Sequence, residues 1–224
     1  MTVAERDRRG VLFDVDGTLV DTVYIHTACW SEALRQAGHD VPMARVHRGI
    51  GLGSGELLDH VLGADRDHAD DEHLKTVHLG LYQQYWERLR PLPGAADLVR
   101  ACAARHRWVV LASSASADEL AVLRSALDAD DAITEATSAS DAKAAKPAPD
   151  ILQAALDAAA LRADQVVFVG DAVWDGYAAA KLDIPFIGLT CGGTGAAELR
   201  DAGAAAVYPD PAALLTELDD TPLA

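Results

Sequence analysis

The predicted fold class is α/β: a doubly wound parallel sheet carrying an inserted all-helical cap domain. Three observations predict it. Short apolar, β-branched runs bounded by small or acidic residues occur at 11–13, 108–111, 166–169 and 184–189, the pattern of buried parallel strands. Ala-rich stretches with helical spacing, at 117–127, 150–161 and 175–182, separate the later runs, so that strand and helix alternate. Between Val20 and Leu92 the strand-like runs cease.

In chain order, Val11, Leu12 and Phe13 form the first run and lead into Asp14. The next seventy residues gather Tyr24, Trp30, Tyr82, Tyr85 and Trp86 among helically spaced apolar positions, which predicts a helical insert. Pro91-Leu92-Pro93-Gly94 ends it, because two prolines and a glycine break any helix and give a stiff, turn-rich return. The expected organisation is therefore a core of residues 1–19 and 93–224 and a cap of residues 20–92. At the far end, Asp219-Asp220-Thr221-Pro222 is expected to fray.

Composition narrows the function classes. The 224 residues suit one core with a smaller insert, and 50% apolar with 24% charged residues is ordinary globular usage. With 19 Lys+Arg against 35 Asp+Glu the net charge is −16, so the average field repels nucleic acid and anionic membrane surfaces. Cys29, Cys102 and Cys191 are far apart with no CxxC pair, which argues against a disulfide framework or zinc finger and for a reducing cytoplasm. The polar start MTVAERDRRG precedes only three apolar residues, too few for a signal-peptide core or a membrane span. A cytoplasmic monomer or homodimer is the expectation.

The chemistry concentrates where runs end. Asp14-Val15-Asp16-Gly17-Thr18 puts two carboxylates at the carboxyl end of the first strand, the edge at which open α/β sheets bind ligands. One carboxylate can attack while the other transfers a proton, provided a cation offsets their repulsion. Gly170-Asp171, with Asp175 four residues on, brings more carboxylates to the same edge, and such a cluster with a phosphate substrate suits Mg²⁺. Ser113-Ser114 ends another run with hydroxyls and backbone N–H groups suited to a phosphoryl oxygen. Lys146, held before Pro147 and Pro149, can neutralise a carboxylate and developing phosphoryl charge. Taken singly, these fragments also read as a polar turn, a helix N-cap and an exposed lysine.

Asp14-x-Asp16-Gly-Thr18, Ser113, Lys146-Pro and Gly170-Asp171-x-x-x-Asp175, in that order, resemble the haloacid dehalogenase superfamily across almost the whole core. The resemblance implies a nucleophilic Asp14 that forms an aspartyl-phosphate, with Asp16 as general acid and then general base. It further implies Mg²⁺ held by the Asp14 and Asp171 side chains and the Asp16 backbone carbonyl, with Asp175 supporting, Ser113 donating to phosphate and Lys146 balancing charge. Asp16 argues for phosphoryl transfer, since dehalogenases of this superfamily lack that second aspartate. About a hundred residues separate Asp14 from Ser113, room for a helical cap of the kind that closes over small phosphorylated metabolites. Thr18 and Ser114 are expected at the substrate.

Within the insert, Thr22, His26 and Trp30 share one helix face; His26 is a candidate substrate contact, and a helix interior is the plainer alternative. Arg45 and Arg48 precede the glycine string 49–55 and are candidate contacts for the substrate anion. Gly192-Gly193-Thr194-Gly195 follows a run near the same sheet edge, with no role assigned. The leading expectation is a phosphatase of the phosphoglycolate or sugar-phosphate kind. A β-phosphoglucomutase-like isomerase is its rival, and a non-catalytic phospho-accepting or ligand-binding protein the third reading.

Overall fold

The computed structural model describes residues 8–223. Among them, one sheet of six parallel strands runs in the order β3-β2-β1-β4-β5-β6. The strands are β1 Gly10–Phe13, β2 Trp108–Ala112, β3 Glu135–Thr137, β4 Val166–Gly170, β5 Phe186–Leu189 and β6 Ala204–Tyr208. The fold class is as predicted. The order reverses between β1 and β4, so the crevice outside their carboxyl ends is the topological switch point of a doubly wound sheet.

Two compact units result, one comprising the described residues up to Asp21 together with Arg90 onward, the other Thr22–Leu89. The change falls two or three residues inside the expected limits of 20 and 92, because the segments that leave and re-enter the sheet unit pair with each other. Val20 bridges Pro91, Asp21 N donates to Arg90 O at 3.0 Å and Leu92 N to Leu19 O at 2.8 Å.

In the helical unit, α1 Val23–Gln36 packs on α2 Met43–Gly49 and on α4 Asp71–Tyr82, with α3 Ser54–Leu62 between α2 and α4 in sequence. Trp30, Leu34, Val46, Leu57, Leu58, Val61 and Leu74 form its buried core. These positions recur at helical spacing, which is why the segment folds as amphipathic helices rather than strands. Arg66, nearly buried, donates to both Asp59 and Asp71 and clamps the α3–α4 connection.

Among the described residues, six helices of the sheet unit follow strands or precede them: α5 Ala95–Ala104, α6 Ala117–Leu127, α7 Asp150–Ala159, α8 Val173–Ala180, α9 Ala196–Asp201 and α10 Pro211–Thr216. α6 coincides with its predicted span and opens with a capping box, Ser116 accepting from Glu119 N while Glu119 accepts from Ser116 N. β5 starts at Phe186 rather than at 184, since Pro185 has no N–H for the ladder and Ile184 N closes the preceding helix on Ala179 O. The C-terminal stretch expected to fray is instead packed. Thr221 and Leu223 are buried, Asp219 pairs with Arg105, and Arg107 donates to the Pro222 carbonyl. No helix among the described residues is long and apolar enough to cross a membrane.

Candidate active site

Register places the acidic groups together. Phe13 pairs with Leu111 on one side and Val169 on the other, so the residues just beyond β1, β2 and β4 emerge at one sheet edge. Asp14 N donates to Val169 O at 2.9 Å, carrying the β1–β4 pairing one residue past the strand. Gly17, at φ +77°, then lets the loop turn so tightly that the amides of Leu19 and Val20 both reach the Val15 carbonyl. Asp16 is half-buried on this loop.

Asp14, Asp171 and Asp175 are 5%, 4% and 0% exposed, and each offers a carboxylate oxygen within 4.8 Å of those of the other two. Lys146, 1% exposed, is their counter-charge: Nζ lies 2.6 Å from Asp14 Oδ1 and 2.8 Å from Asp175 Oδ1. Burial pushes the Asp14 carboxyl up to about 7, against the pull of the Lys146 ammonium and with the negative charge of Asp175 adding to the rise. Burial likewise raises Asp171 well above the ordinary carboxylate range, and the charges of Asp175 and Asp14 add to it. Three buried carboxylates against one ammonium leave an uncompensated negative cluster. Its all-oxygen donor set fits a hard divalent cation.

Ser113 is fully buried, and its Oγ accepts from Ala115 N at 3.1 Å, which leaves the hydroxyl proton to be given to another oxygen. Ser114 Oγ is buried with no hydrogen-bond partner among the described residues. Thr18, expected at the substrate, serves another purpose. It is fully buried and its hydroxyl donates to Asp171 Oδ1 at 2.9 Å, because the tight loop turns it inward toward the β4 edge. Asp175 accepts from Ala172 N at 3.0 Å through Oδ2 while its Oδ1 faces Lys146, so both its oxygens are engaged by the protein.

The three candidates in the helical unit are not gathered at one point. Arg45 donates to the His60 carbonyl at 3.0 and 3.3 Å, satisfying the last turn of α3. Arg48 is exposed near the end of α2. His26 belongs to an aromatic stack. Its Nδ1 is 3.1 Å from His78 Nε2, its ring centroid 4.0 Å from that of Tyr82, and His78 stacks on Trp30 at 4.1 Å.

Burial, with the charge of the neighbouring His26 second, holds His78 far below the ordinary histidine range, at about 2. A histidine depressed in the folded state binds fewer protons than in the unfolded chain, so its contribution is complete above about pH 6.5 and is lost as pH falls below that. Between pH 7.5 and 5.5 urea denaturation should therefore reveal a loss approaching about 1.4 kcal/mol per pH unit below 6.5 from this residue. His78→Phe should flatten that dependence. Parallel pH profiles of the two proteins would refute the assignment, and the difference between them cancels the opposite contribution of the raised carboxylates.

Residues that composition and spacing did not reveal are Thr18 as a partner of Asp171, His78, and the turn carrying Cys191 and Gly192. A Cβ on Gly192 would lie 1.7 Å from Asp171 Oδ2. The one signal for that turn was a glycine pair directly after a strand.

Comparison with known proteins finds relatives along most of the chain. A family model described as haloacid dehalogenase-like hydrolase matches residues 9–183. The curated phosphoglycolate phosphatase of Rhodospirillum rubrum is 28% identical over 219 residues, covering 92% of this chain and 89% of its own. That of Escherichia coli K12 is 27% identical over 213 residues, covering 83% and 82%. Among solved structures, a hydrolase from Pseudomonas syringae superposes with a TM-score of 0.90 at 33% identity over 95% of this chain and 99% of that one. A β-phosphoglucomutase from Clostridium difficile superposes at 0.78 with 19% identity over 91% and 92%, a likeness of fold.

Proposed function

The chain belongs to the haloacid dehalogenase-like hydrolases, and from that premise we propose that it is a Mg²⁺-dependent phosphatase of a small phosphomonoester, phosphoglycolate-like or sugar-phosphate-like. The observation that carries the reading is the buried pairing of Lys146 with Asp14 beside Asp171 and Asp175. It is a charge-balanced nucleophile next to a cation site. The curated relatives named as phosphoglycolate phosphatases favour hydrolysis over isomerisation.

Asp14 and Asp171 would hold Mg²⁺ through their side chains and Asp16 through its backbone carbonyl, with Asp175 in support. When bound, the ion supplies Lewis-acid polarisation of the phosphoryl group and neutralises its charge. Lys146 stabilises the ionised form of Asp14 in a site whose burial disfavours it. A carboxylate oxygen of Asp14 attacks phosphorus, the bond from phosphorus to the substrate oxygen breaks, and an aspartyl-phosphate forms. Asp16 gives its proton to the leaving oxygen. It then takes one from the water that attacks the phosphorus, which frees Asp14 and inorganic phosphate. Ser113, whose oxygen already accepts from Ala115 N, donates to a phosphoryl oxygen, and the buried Ser114 hydroxyl offers a second donor.

The test is phosphate release from phosphoglycolate, sugar phosphates, nucleoside monophosphates and an aryl phosphate, with Mg²⁺ and with EDTA, while sugar-phosphate isomers are followed in parallel. Release that needs Mg²⁺ and stops in EDTA is expected. Isomer formation without release would replace the phosphatase by a mutase, and EDTA-resistant release would remove the metal from the reading.

A further inference from the structure

We propose that the turn Thr190–Gly192 after β5 is a positioning element for the cation site, with Cys191 fixing the Asp16–Thr18 turn and Gly192 setting the orientation of the Asp171 carboxylate. The proposal rests on the reading of Asp171 as a metal ligand. Its basis is a closed ring of contacts among three loops that are far apart in sequence. The Cys191 thiol donates to the Gly17 carbonyl at 3.2 Å. One residue on, the Thr18 hydroxyl donates to Asp171 Oδ1 at 2.9 Å. The other Asp171 oxygen lies where a Cβ on Gly192 would sit, 1.7 Å from that point, and the carboxylate carbon is 2.5 Å from it.

Each link does separate work. Gly192 lacks a side chain because the Asp171 carboxylate fills its space, so the Gly192 backbone is a wall against which the carboxylate rests. Cys191 acts at a distance: its hydrogen bond holds the Gly17 carbonyl, which fixes the turn that aims Thr18, which in turn holds Asp171. The Cys191 thiol is partly buried and its proton is directed at the Gly17 carbonyl, so its part in the ring is that of a hydrogen-bond donor. Outer partners of this kind orient metal-binding carboxylates, and their loss typically weakens metal affinity by about 10- to 100-fold.

The probe is Mg²⁺ alone, titrated calorimetrically into the intact protein without substrate, with thermal melts alongside. Gly192→Ala should weaken Mg²⁺ binding by about 10-fold or more. Cys191→Ala should weaken it less, and Cys191→Ser, whose hydroxyl can donate to the Gly17 carbonyl, should return it to within about 3-fold of wild type. Wild-type Mg²⁺ affinity in Gly192→Ala, or a Cys191→Ser no better than Cys191→Ala, would overturn the proposal. Should Gly192→Ala fail to fold, Cys191→Ala and Thr18→Val decide instead: one ring predicts losses smaller together than their sum, and additive losses overturn it. A wild-type protein that binds Mg²⁺ yet releases no phosphate would sink the phosphatase reading and leave this test standing. One that binds no Mg²⁺ would sink the proposal itself.

Discussion

In Asp14→Asn, phosphate release is expected to fall on the order of 10⁴-fold or more, the scale on which loss of a nucleophile is felt in enzymes that form covalent intermediates. The amide keeps the shape of the side chain, and its oxygen can still accept from Lys146 Nζ where Asp14 Oδ1 now does at 2.6 Å. What the proposed mechanism loses is the attacking charge. Stability should hold or rise, since burial and neighbouring carboxylates disfavour the ionised Asp14 and the variant removes one of three crowded negative groups. Acid-quenched wild type should yield a phosphorylated peptide containing Asp14, and the variant none. A variant that retains a tenth of the wild-type rate would remove Asp14 from the role of nucleophile.

Much of this site was legible because its parts lie directly beyond strands whose apolar runs are unmistakable. Val11–Phe13 and Val166–Val169 are buried on both faces, so their hydrophobic signal is continuous and the position of Asp14 and Asp171 at the same edge follows. The edge strands were not legible. Glu135-Ala136-Thr137 buries only its last residue, and Ala204–Tyr208 is partly exposed and mostly alanine, so neither carries a periodicity that separates strand from helix. The role of Thr18 was hidden for a different reason. Its partner is 153 residues away, and a hydroxyl beside a catalytic loop reads as a substrate contact until the turn at Gly17 is seen to rotate it inward. His26 and His78, 52 residues apart, each occupy an ordinary position on an amphipathic helix. Only packing makes them a pair.

The glycine pair after β5 is equally silent in one dimension. Glycine is used for turns, for positive φ and for close approach, and the sequence does not distinguish among them. Gly193 takes φ +95°, while Gly192 is required by the carboxylate of a residue on another loop. Adjacent identical residues thus serve backbone conformation and side-chain clearance respectively.

Lys146→Met should be the most destabilising single change at this site. Lys146 is 1% exposed and its ammonium lies within 2.8 Å of two carboxylates, Asp14 and Asp175, that are themselves buried. Methionine fills much of the volume, so packing changes little, but the carboxylates lose their cation. Leaving buried charge unpaired costs about 3–5 kcal/mol. The deficit should depend on Mg²⁺. With EDTA the melting temperature should drop sharply, whereas excess Mg²⁺ should restore part of it, because a ligand that binds only the folded state stabilises by mass action and the cluster has become more negative. Activity should remain lower by about 100-fold or more even in saturating Mg²⁺, since in the proposed mechanism Lys146 also meets charge that develops on the phosphoryl oxygens. Lys146→Arg should not rescue either property, for the larger planar guanidinium has no room in a site closed to solvent. Melts of both proteins in EDTA and in Mg²⁺ decide the matter. Equal stability in EDTA would show that the carboxylates are neutralised by something other than Lys146, and a deficit that Mg²⁺ leaves untouched would show that the ion binds elsewhere.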